Sequence, residues 1–582
     1  MPITSVLKSR YLLLLVFPML NLLFMHYFFY FSDILEWTWM YSEIINLCGV
    51  VFDVSVLTIL FLFCTGGRIK LSIAFTQIVT LMWSFVNVMY GKFFFQYISL
   101  SAIGEVHSLG DSLVLNSVMS AFYWYDIFFL ISAILFFFVY KKVKAYKIER
   151  KQFFLLLGIP FLSMLVTLVV YSTYHFVHPH YRNNWELYKF RAKELLFDSK
   201  RGGTPNLAHF QTGCIRVAIF ELYDMLHVVE LTTEQRKEIY EYYTNHSFRK
   251  TQNERNPKIK NVIFILLESF LSAPIDMKVD GKEITPFLNS LKKDSNVYYN
   301  GNMISDIGCG ESGDGQFIYM TGLLPLKYEM TVGQVKNNVL PALPKVLKEK
   351  MGIRNREIIY PTVPNLWQQA DMNNAYEIEN AFSLTDIVGD NKNHIDDKDI
   401  FDFAANTLDA SKEPFFSLIL SVSTHGPYDV FVGKDLGITD RSLSEEYKNY
   451  LITCHYLDSQ LQHYFRVLKL KGLYKESLIV IASDHYAHLD MLKMDNRISN
   501  YTPLFIINGD FFNSDNWKGE FHQVDVYTTL LDILAINQPW LGLGHTLMSP
   551  SYKSSVDEKA TKISELIIEG KYFDNLSFHK IK

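Results

Sequence analysis

Three apolar runs in this chain end in residues able to bind a cation or a phosphate. Glu268 follows "NVIFILL", His425 follows "FFSLILSVST", and the pair Asp484 and His485 follows "SLIVIAS". A single polar residue after a strand usually serves as a turn or a helix cap. Three such ends, made of Glu, Asp and His, are harder to assign to capping. Carboxylates with a neutral imidazole form a mixed oxygen and nitrogen donor set suited to Zn2+ or Mn2+, and three protein ligands leave positions for a nucleophile and a substrate oxygen. A Gly-rich loop, "DIGCGESGDGQF" (Asp306–Phe317), offers the nucleophile: Ser312 lies among Gly308, Gly310, Gly313 and Gly315. These glycines permit tight turns and bring main-chain N–H groups close to an anion. A metal beside the hydroxyl lowers its pKa and activates an otherwise weak nucleophile. The alternative is a surface loop with an incidental serine.

The elements that must position these residues begin near Lys258. From there short β-branched runs, "NVIFILLE", "FFSLILSVS", "SLIVIASDH" and "TPLFIING", alternate with amphipathic segments. Continuous apolar strands suit a parallel sheet covered on both faces by helices, so the expected fold is a doubly wound α/β domain with ligands at the C-terminal strand ends. "TCHYLDSQLQHYF" (Thr453–Phe465) fits an amphipathic helix packed on that sheet, which makes Cys454 and His455 core or connector residues. Asp314 is taken as structural. His488 is either a further ligand or a solvated loop histidine.

The 582 residues divide into a very apolar N-terminal portion and an ordinary globular remainder. Five apolar stretches, roughly Tyr11–Phe31, Ile44–Cys64, Leu71–Tyr90, Met119–Tyr140 and Phe153–Phe176, are each near the ~20 residues that cross a bilayer. Lys8 and Arg10, Arg68 and Lys70, and "KKVKAYKIERK" (Lys141–Lys151) flank the spans on one side, whereas "SDILEWTWMYSE" (Ser32–Glu43) has no basic residue. That asymmetry predicts a cytoplasmic N-terminus and an extracytoplasmic domain after the fifth span, periplasmic in a Gram-negative envelope. The loop of about residues 91–118, beginning "GKFFFQYISL", is either interfacial or ordinary. Asp53 and Asp126 fall within the expected spans, where a carboxylate is functional by default unless it reaches water near a span end. The expected divisions are a five-helix transmembrane domain (1–176), a helical connector (177–257) that includes Asn184–Phe197 and Leu231–His246, a catalytic domain (258–550) and a C-terminal tail (551–582).

A net charge of −5 without a long Lys/Arg patch sets nucleic acid aside as a partner. The five cysteines show no metal-knuckle spacing and leave the redox compartment undefined.

The ordered combination "NVIFILLESF", "GCGESGDGQF", "STHGPY" and "SDHYAH", downstream of five spans, resembles the lipoteichoic acid synthase branch of the sulfatase/alkaline phosphatase superfamily over nearly the whole chain. The resemblance implies a sulfatase/alkaline-phosphatase-like extracytoplasmic domain in which Glu268, Ser312, Asp484 and His485 bind one divalent ion, Mn2+ or Zn2+. It further implies that Ser312 is the nucleophile and that His425 contacts substrate or protonates the leaving group. The implied activity is a membrane-anchored transfer of phosphoglycerol or phosphoethanolamine from a phospholipid donor to an envelope glycan or lipid acceptor. The alternatives are a phosphodiesterase or sulfatase-like hydrolase, and a non-catalytic lipid-binding membrane protein.

This chain departs from the pattern in informative places. Its nucleophile is Ser where the branch has Thr, and both present a hydroxyl. The Trp-x-Arg element that holds glycerol-phosphate in the branch is matched by "WQQ", giving Trp367 and Gln369 as substrate-binding candidates without the guanidinium. A substrate-binding His of the branch falls near Tyr360. After Ser312 comes "GDGQ", without the Pro and Arg of a formylglycine sulfatase.

Overall fold

The computed structural model describes residues 9–574 apart from 32–39, 95–96, 101–121, 178–191, 193–204, 227–229, 246–255, 309, 328–329, 365, 390–394, 410–411, 427–435, 490–491, 493–498, 510–515, 550–551 and 554–555. Most of the Ser32–Glu43 loop, most of the 91–118 loop and the expected helix Asn184–Phe197 lie outside the described residues. The chain forms two compact units, Met1–Gly104 with Val118–Val228, and Glu105–Ser117 with Val229–Lys582.

In the first unit, five helical segments are long and apolar enough to cross a membrane: Tyr11–Phe31, Ser42–Cys64, Ile69–Lys92, Trp124–Lys142 and Arg150–Val177. They belong to α1 (Ser9–Phe31), α2 (Met40–Cys64), α3 (Ile69–Phe94), α4 (Ile127–Lys142), and the pair α5 (Arg150–Leu156) and α6 (Gly158–Val177). Hydrocarbon offers polar side chains no water, so they must satisfy one another. Asn21, Gln77 and Ser132 do so in a closed ring across α1, α3 and α4, at 3.2, 3.4 and 2.7 Å. Both carboxylates within the spans are buried. Asp126 pairs with Lys92 at 2.6 Å and accepts the Tyr123 N–H. Asp53 accepts two backbone N–H groups, from Cys214 at 2.7 Å and Ile215 at 3.1 Å. These groups open α8 (Cys214–Leu226), which follows α7 (Pro205–Thr212).

The second unit opens with α9 (Thr233–Asn245), where Thr232 caps the helix through the Gln235 N–H and Gln235 answers to the Thr232 N–H. Its sheet comprises β1 (Asn261–Leu267), β2 (Val297–Ile304), β3 (Asn355–Ile359), β4 (Asn380–Phe382), β5 (Phe415–Leu420), β6 (Ser477–Ser483), β7 (Thr502–Ile507) and β8 (Phe521–His522), in the order β8-β2-β7-β6-β1-β5-β3-β4. β6, β1, β5, β3 and β4 run parallel, as expected. β7, the "TPLFII" run, is antiparallel to both β6 and β2, so the sheet is mixed. A strand buried on both faces is continuously apolar whichever way it runs, which is why the pattern did not show the reversal.

Both faces are covered. Ile263, Ile265 and Leu267 of β1 join the core that holds Tyr450, Leu451, Cys454 and Leu457 of α11 (Glu445–Leu470). On the opposite face Phe264 packs on Tyr319 of α10 (Glu311–Thr321), their rings 5.2 Å apart. Cys454 is fully buried and His455 bonds the Ile284 carbonyl, the core and connector roles expected of them. α12 (Val524–Ile533) follows β8, and in α13 (Glu558–Glu569) Ser564 hydrogen-bonds the backbone of Leu324, just past the end of α10.

Candidate active site

β1 and β6 are neighbours in register, Leu267 opposite Ser483, so the residues that follow them emerge side by side. Ser269 sits at φ +48°, in the left-handed region, and turns the chain sharply after Glu268. That turn aims the Ser269 N–H at Asp484 Oδ1, 2.8 Å away, and the Ser269 hydroxyl at Glu268 Oε1, also 2.8 Å. Asp484 Oδ1 accepts the His485 N–H as well, at 2.7 Å. On the other side of β1, Ser421 at the end of β5 accepts the Glu268 N–H, and the Thr424 hydroxyl donates to the Glu268 carbonyl. The adjacent strand ends thus hold the two carboxylates with their backbone polar groups satisfied.

His485 Nδ1 lies 2.8 Å from the Tyr486 carbonyl, which can only accept, so this nitrogen carries the proton. Nε2 is the nitrogen turned to the site, facing Glu268 Oε1 at 3.5 Å, Asp484 Oδ2 at 3.7 Å and Ser312 Oγ at 3.2 Å; burial opposes a charge on this ring, but Asp484, Glu268 and Glu311 raise it well above the usual imidazole range. Ser312 Oγ is also 3.3 Å from Glu268 Oε2. The Gly-rich loop delivers the serine at the first turn of α10. Asp314 accepts the N–H groups of Gly308 and Gly310, folding the loop beneath Ser312, the structural part expected of it. A Cβ on Gly315 would come within 2.2 Å of the Asp484 carbonyl, so glycine is what lets α10 approach the end of β6.

Glu268, Asp484 and His485 are buried, and each offers one donor atom within 4.8 Å of the others. Burial and the Glu268 charge push Asp484 up to about 8. Burial opposes ionisation of Glu268 too, but His485, His425 and Ser269 hold its carboxyl well below the usual range. Two carboxyl groups crowded beside one imidazole nitrogen make a donor set that a divalent cation fits once their protons leave.

The other candidates lie further out. His425 is exposed, with Nδ1 against the Gly426 carbonyl, but its charge acts on Glu268. Its loop is held from below by buried Asp397, which accepts the N–H groups of Val422 and Ser423. Trp367 lies in the helical turn Leu366–Gln368, and its side chain is outside the described residues. Gln369 turns its amide to Asn373, one turn along its own helix. Tyr360 is buried.

Two neighbours were not foreseen. Glu311 precedes Ser312 at φ +44° and places Oε2 3.6 Å from His485 Nδ1 and 3.7 Å from His488 Nε2. Burial pushes its carboxyl up to about 7. His488 is consequently a largely buried partner of Glu311, not a solvated loop residue, and burial drives it down to about 3. Gln523 donates to the Asp484 carbonyl at 2.6 Å and accepts the Asp306 N–H at 2.8 Å, tying the loop after β6 to the serine loop. It also meets the hydroxyls of Ser305 and Tyr319, at 3.1 and 3.2 Å, and no sequence motif marks it.

Residues 260–536 match the Sulfatase family model. The chain is 27% identical over 535 residues to lipoteichoic acid synthase 2 of Bacillus subtilis, covering 84% of this chain and 76% of that protein. It is 24% identical over 531 residues to lipoteichoic acid synthase of Staphylococcus saprophyticus, covering 85% and 78%. Its fold matches the integral membrane lipooligosaccharide phosphoethanolamine transferase A of Neisseria meningitidis with a TM-score of 0.51 and 12% identity, over 90% of this chain and 95% of that one. Strand-end residues, Gly-rich loop, family model and relatives agree: residues 260–536 match the Sulfatase family model in a sulfatase-like α/β domain, and the chain resembles the lipoteichoic acid synthase-like branch of the sulfatase/alkaline phosphatase superfamily.

Proposed function

We propose that this chain is a membrane-anchored phosphotransferase that moves phosphoglycerol or phosphoethanolamine from a phospholipid to an envelope glycan or lipid through a covalent intermediate on Ser312. The observation that carries this reading is the position of the Ser312 hydroxyl, 3.2 Å from His485 Nε2 and 3.3 Å from Glu268 Oε2, at the ends of adjacent strands. Glu268, Ser312, Asp484 and His485 would hold one divalent ion, Mn2+ or Zn2+, which when bound supplies positive charge against the serine oxygen and the phosphoryl oxygens.

The residues divide the work in two steps. Ser312 Oγ, its hydroxyl proton first given up to solvent, attacks phosphorus; its bond to phosphorus forms, the bond from phosphorus to the diacylglycerol oxygen breaks, and His425 gives that oxygen a proton. Diacylglycerol leaves. An acceptor hydroxyl then attacks phosphorus, its proton passes to His425, and the Ser312 ester is cleaved. Trp367 and Gln369 are assigned to the head group; without a guanidinium there, selection rests on neutral contacts. Supporting the placement of the catalytic unit outside the cytoplasm is the Lys/Arg asymmetry of the short loops. Anchoring keeps the active site at high effective concentration against a donor confined to the bilayer.

The test is head-group release by the full-length protein in nanodiscs containing phosphatidylglycerol or phosphatidylethanolamine labelled in the head group, with Mn2+ or Zn2+ present. Wild type releases labelled head group in a metal-dependent way and passes it to an added glycan or lipid hydroxyl. Ser312→Ala loses at least about a thousandfold in turnover. Undiminished turnover in Ser312→Ala sinks the serine intermediate, and release that never transfers to an acceptor makes the protein a hydrolase.

A further inference from the structure

In sequence, residues 205–226 belong to a polar connector beyond the last span. In the structure they follow α2 into the membrane-spanning unit. The Gln211 amide bonds the Ser42 hydroxyl at 3.2 Å, and the Phe210 carbonyl accepts from Asn46 at 2.6 Å. Gly49 abuts Thr212 and Gly213 so closely that a Cβ on Gly49 would lie 2.7 Å from the Gly213 nitrogen. Asp53 accepts the N–H groups of Cys214 and Ile215. These contacts step down α2 from Ser42 to Asp53, and Asp53 is the central residue of the span Ser42–Cys64. At 1.5 Å per residue the descent is roughly 16 Å, about half a hydrocarbon core.

Gly213 makes the reversal at φ +88°, facing Asp53, where any side chain would collide with that carboxylate. The chain then climbs back. Seven residues into α8, Glu221 accepts the N–H of Leu100, a residue beyond the Lys92 end of the third span. On this rising limb Ile219, Leu222 and Tyr223 are 52%, 51% and 56% exposed, at the i, i+3, i+4 spacing of one helix face.

We propose that α7 and α8 form a re-entrant hairpin that dips to the centre of the span from the Met40 end of α2, and that Ile219, Leu222 and Tyr223 face lipid acyl chains. The occupant follows from continuity, because the face starts at mid-span depth on a helix that itself crosses the membrane. It also gives Asp53 its reason. The first N–H groups of α8 have no water at that depth and need a partner there. Asp53 satisfies two of them, and Arg216, buried one turn away, supplies the opposing charge.

The experiment is photolabelling of the full-length wild-type chain in phospholipid nanodiscs with a lipid-soluble aryl diazirine, read by peptide mass spectrometry. The peptide holding Cys214–Leu226 takes up label at Ile219, Leu222 and Tyr223 to the level of peptides from α2 and α3. Labelling no higher than that of exposed helices in the second unit overturns the proposal. In Asp53→Ala the hairpin leaves its seat and this labelling is lost while the spans stay labelled; Asp53→Asn, which keeps an acceptor oxygen, retains it. Unchanged labelling in Asp53→Ala would show that the carboxylate does not hold the hairpin in place.

Discussion

The chemistry assigned to Ser312 depends on how charge is balanced within a few ångströms of His485. Asp484 is pushed up by burial and by Glu268, which favours its protonated form in the metal-free protein. A cation must displace this proton, because only the carboxylate binds it. The sign follows: protons held at Asp484 and at the raised His485 imidazole must leave before a cation binds, so metal affinity falls as pH is lowered. Isothermal titration with Mn2+ between pH 6 and 9 measures the slope, and a flat profile contradicts the assignment of Asp484 as a ligand. Glu311 adds a third carboxylate, on the Nδ1 side of the same imidazole. Replacing it with Gln keeps the shape and removes the charge, and metal affinity is expected to fall roughly tenfold with the fold intact by circular dichroism.

At the scale of elements, the site is a junction of strand ends and one helix, and Gln523 is its cross-tie. Gln523→Ala leaves the Asp306 N–H and the Asp484 carbonyl without their partner in a buried place, at a cost of about 1–3 kcal/mol. Denaturant unfolding measures that loss, and head-group release falls with it because both loops shift. A variant that keeps full activity and stability contradicts this role. Much of the site was legible in the sequence for a physical reason: β1, β5 and β6 are buried on both faces, so their ends are sharp transitions from apolar to Glu268, Ser421 and Asp484. The direction of β7 was not legible, since burial alone writes its pattern. Gln523 was invisible because its partners, the Asp306 and Asp484 backbone and the Ser305 and Tyr319 hydroxyls, lie 39 to 218 positions away, and only the fold brings them to it. His488 read as a loop residue because the carboxylate that covers it, Glu311, comes from a segment 177 positions earlier, and only the fold brings them together.

For the whole molecule, sequence resolved the spans better than what packs among them. Twenty apolar residues announce a crossing by length and composition alone, whereas Asp53 looks the same whether it meets water, substrate or the start of α8. The membrane-spanning unit and the sulfatase-like domain serve one task in the proposed reaction, drawing a donor from the bilayer and holding its head group on a serine. The most direct measurement is peptide mass spectrometry of Ser312 after the full-length protein is incubated with membrane phospholipid and divalent metal and quenched before acceptor is added. The prediction is a phosphoglycerol or phosphoethanolamine ester on Ser312 that disappears when acceptor is supplied. An unmodified Ser312 while head group is being released, or an adduct on another residue, would contradict the covalent mechanism.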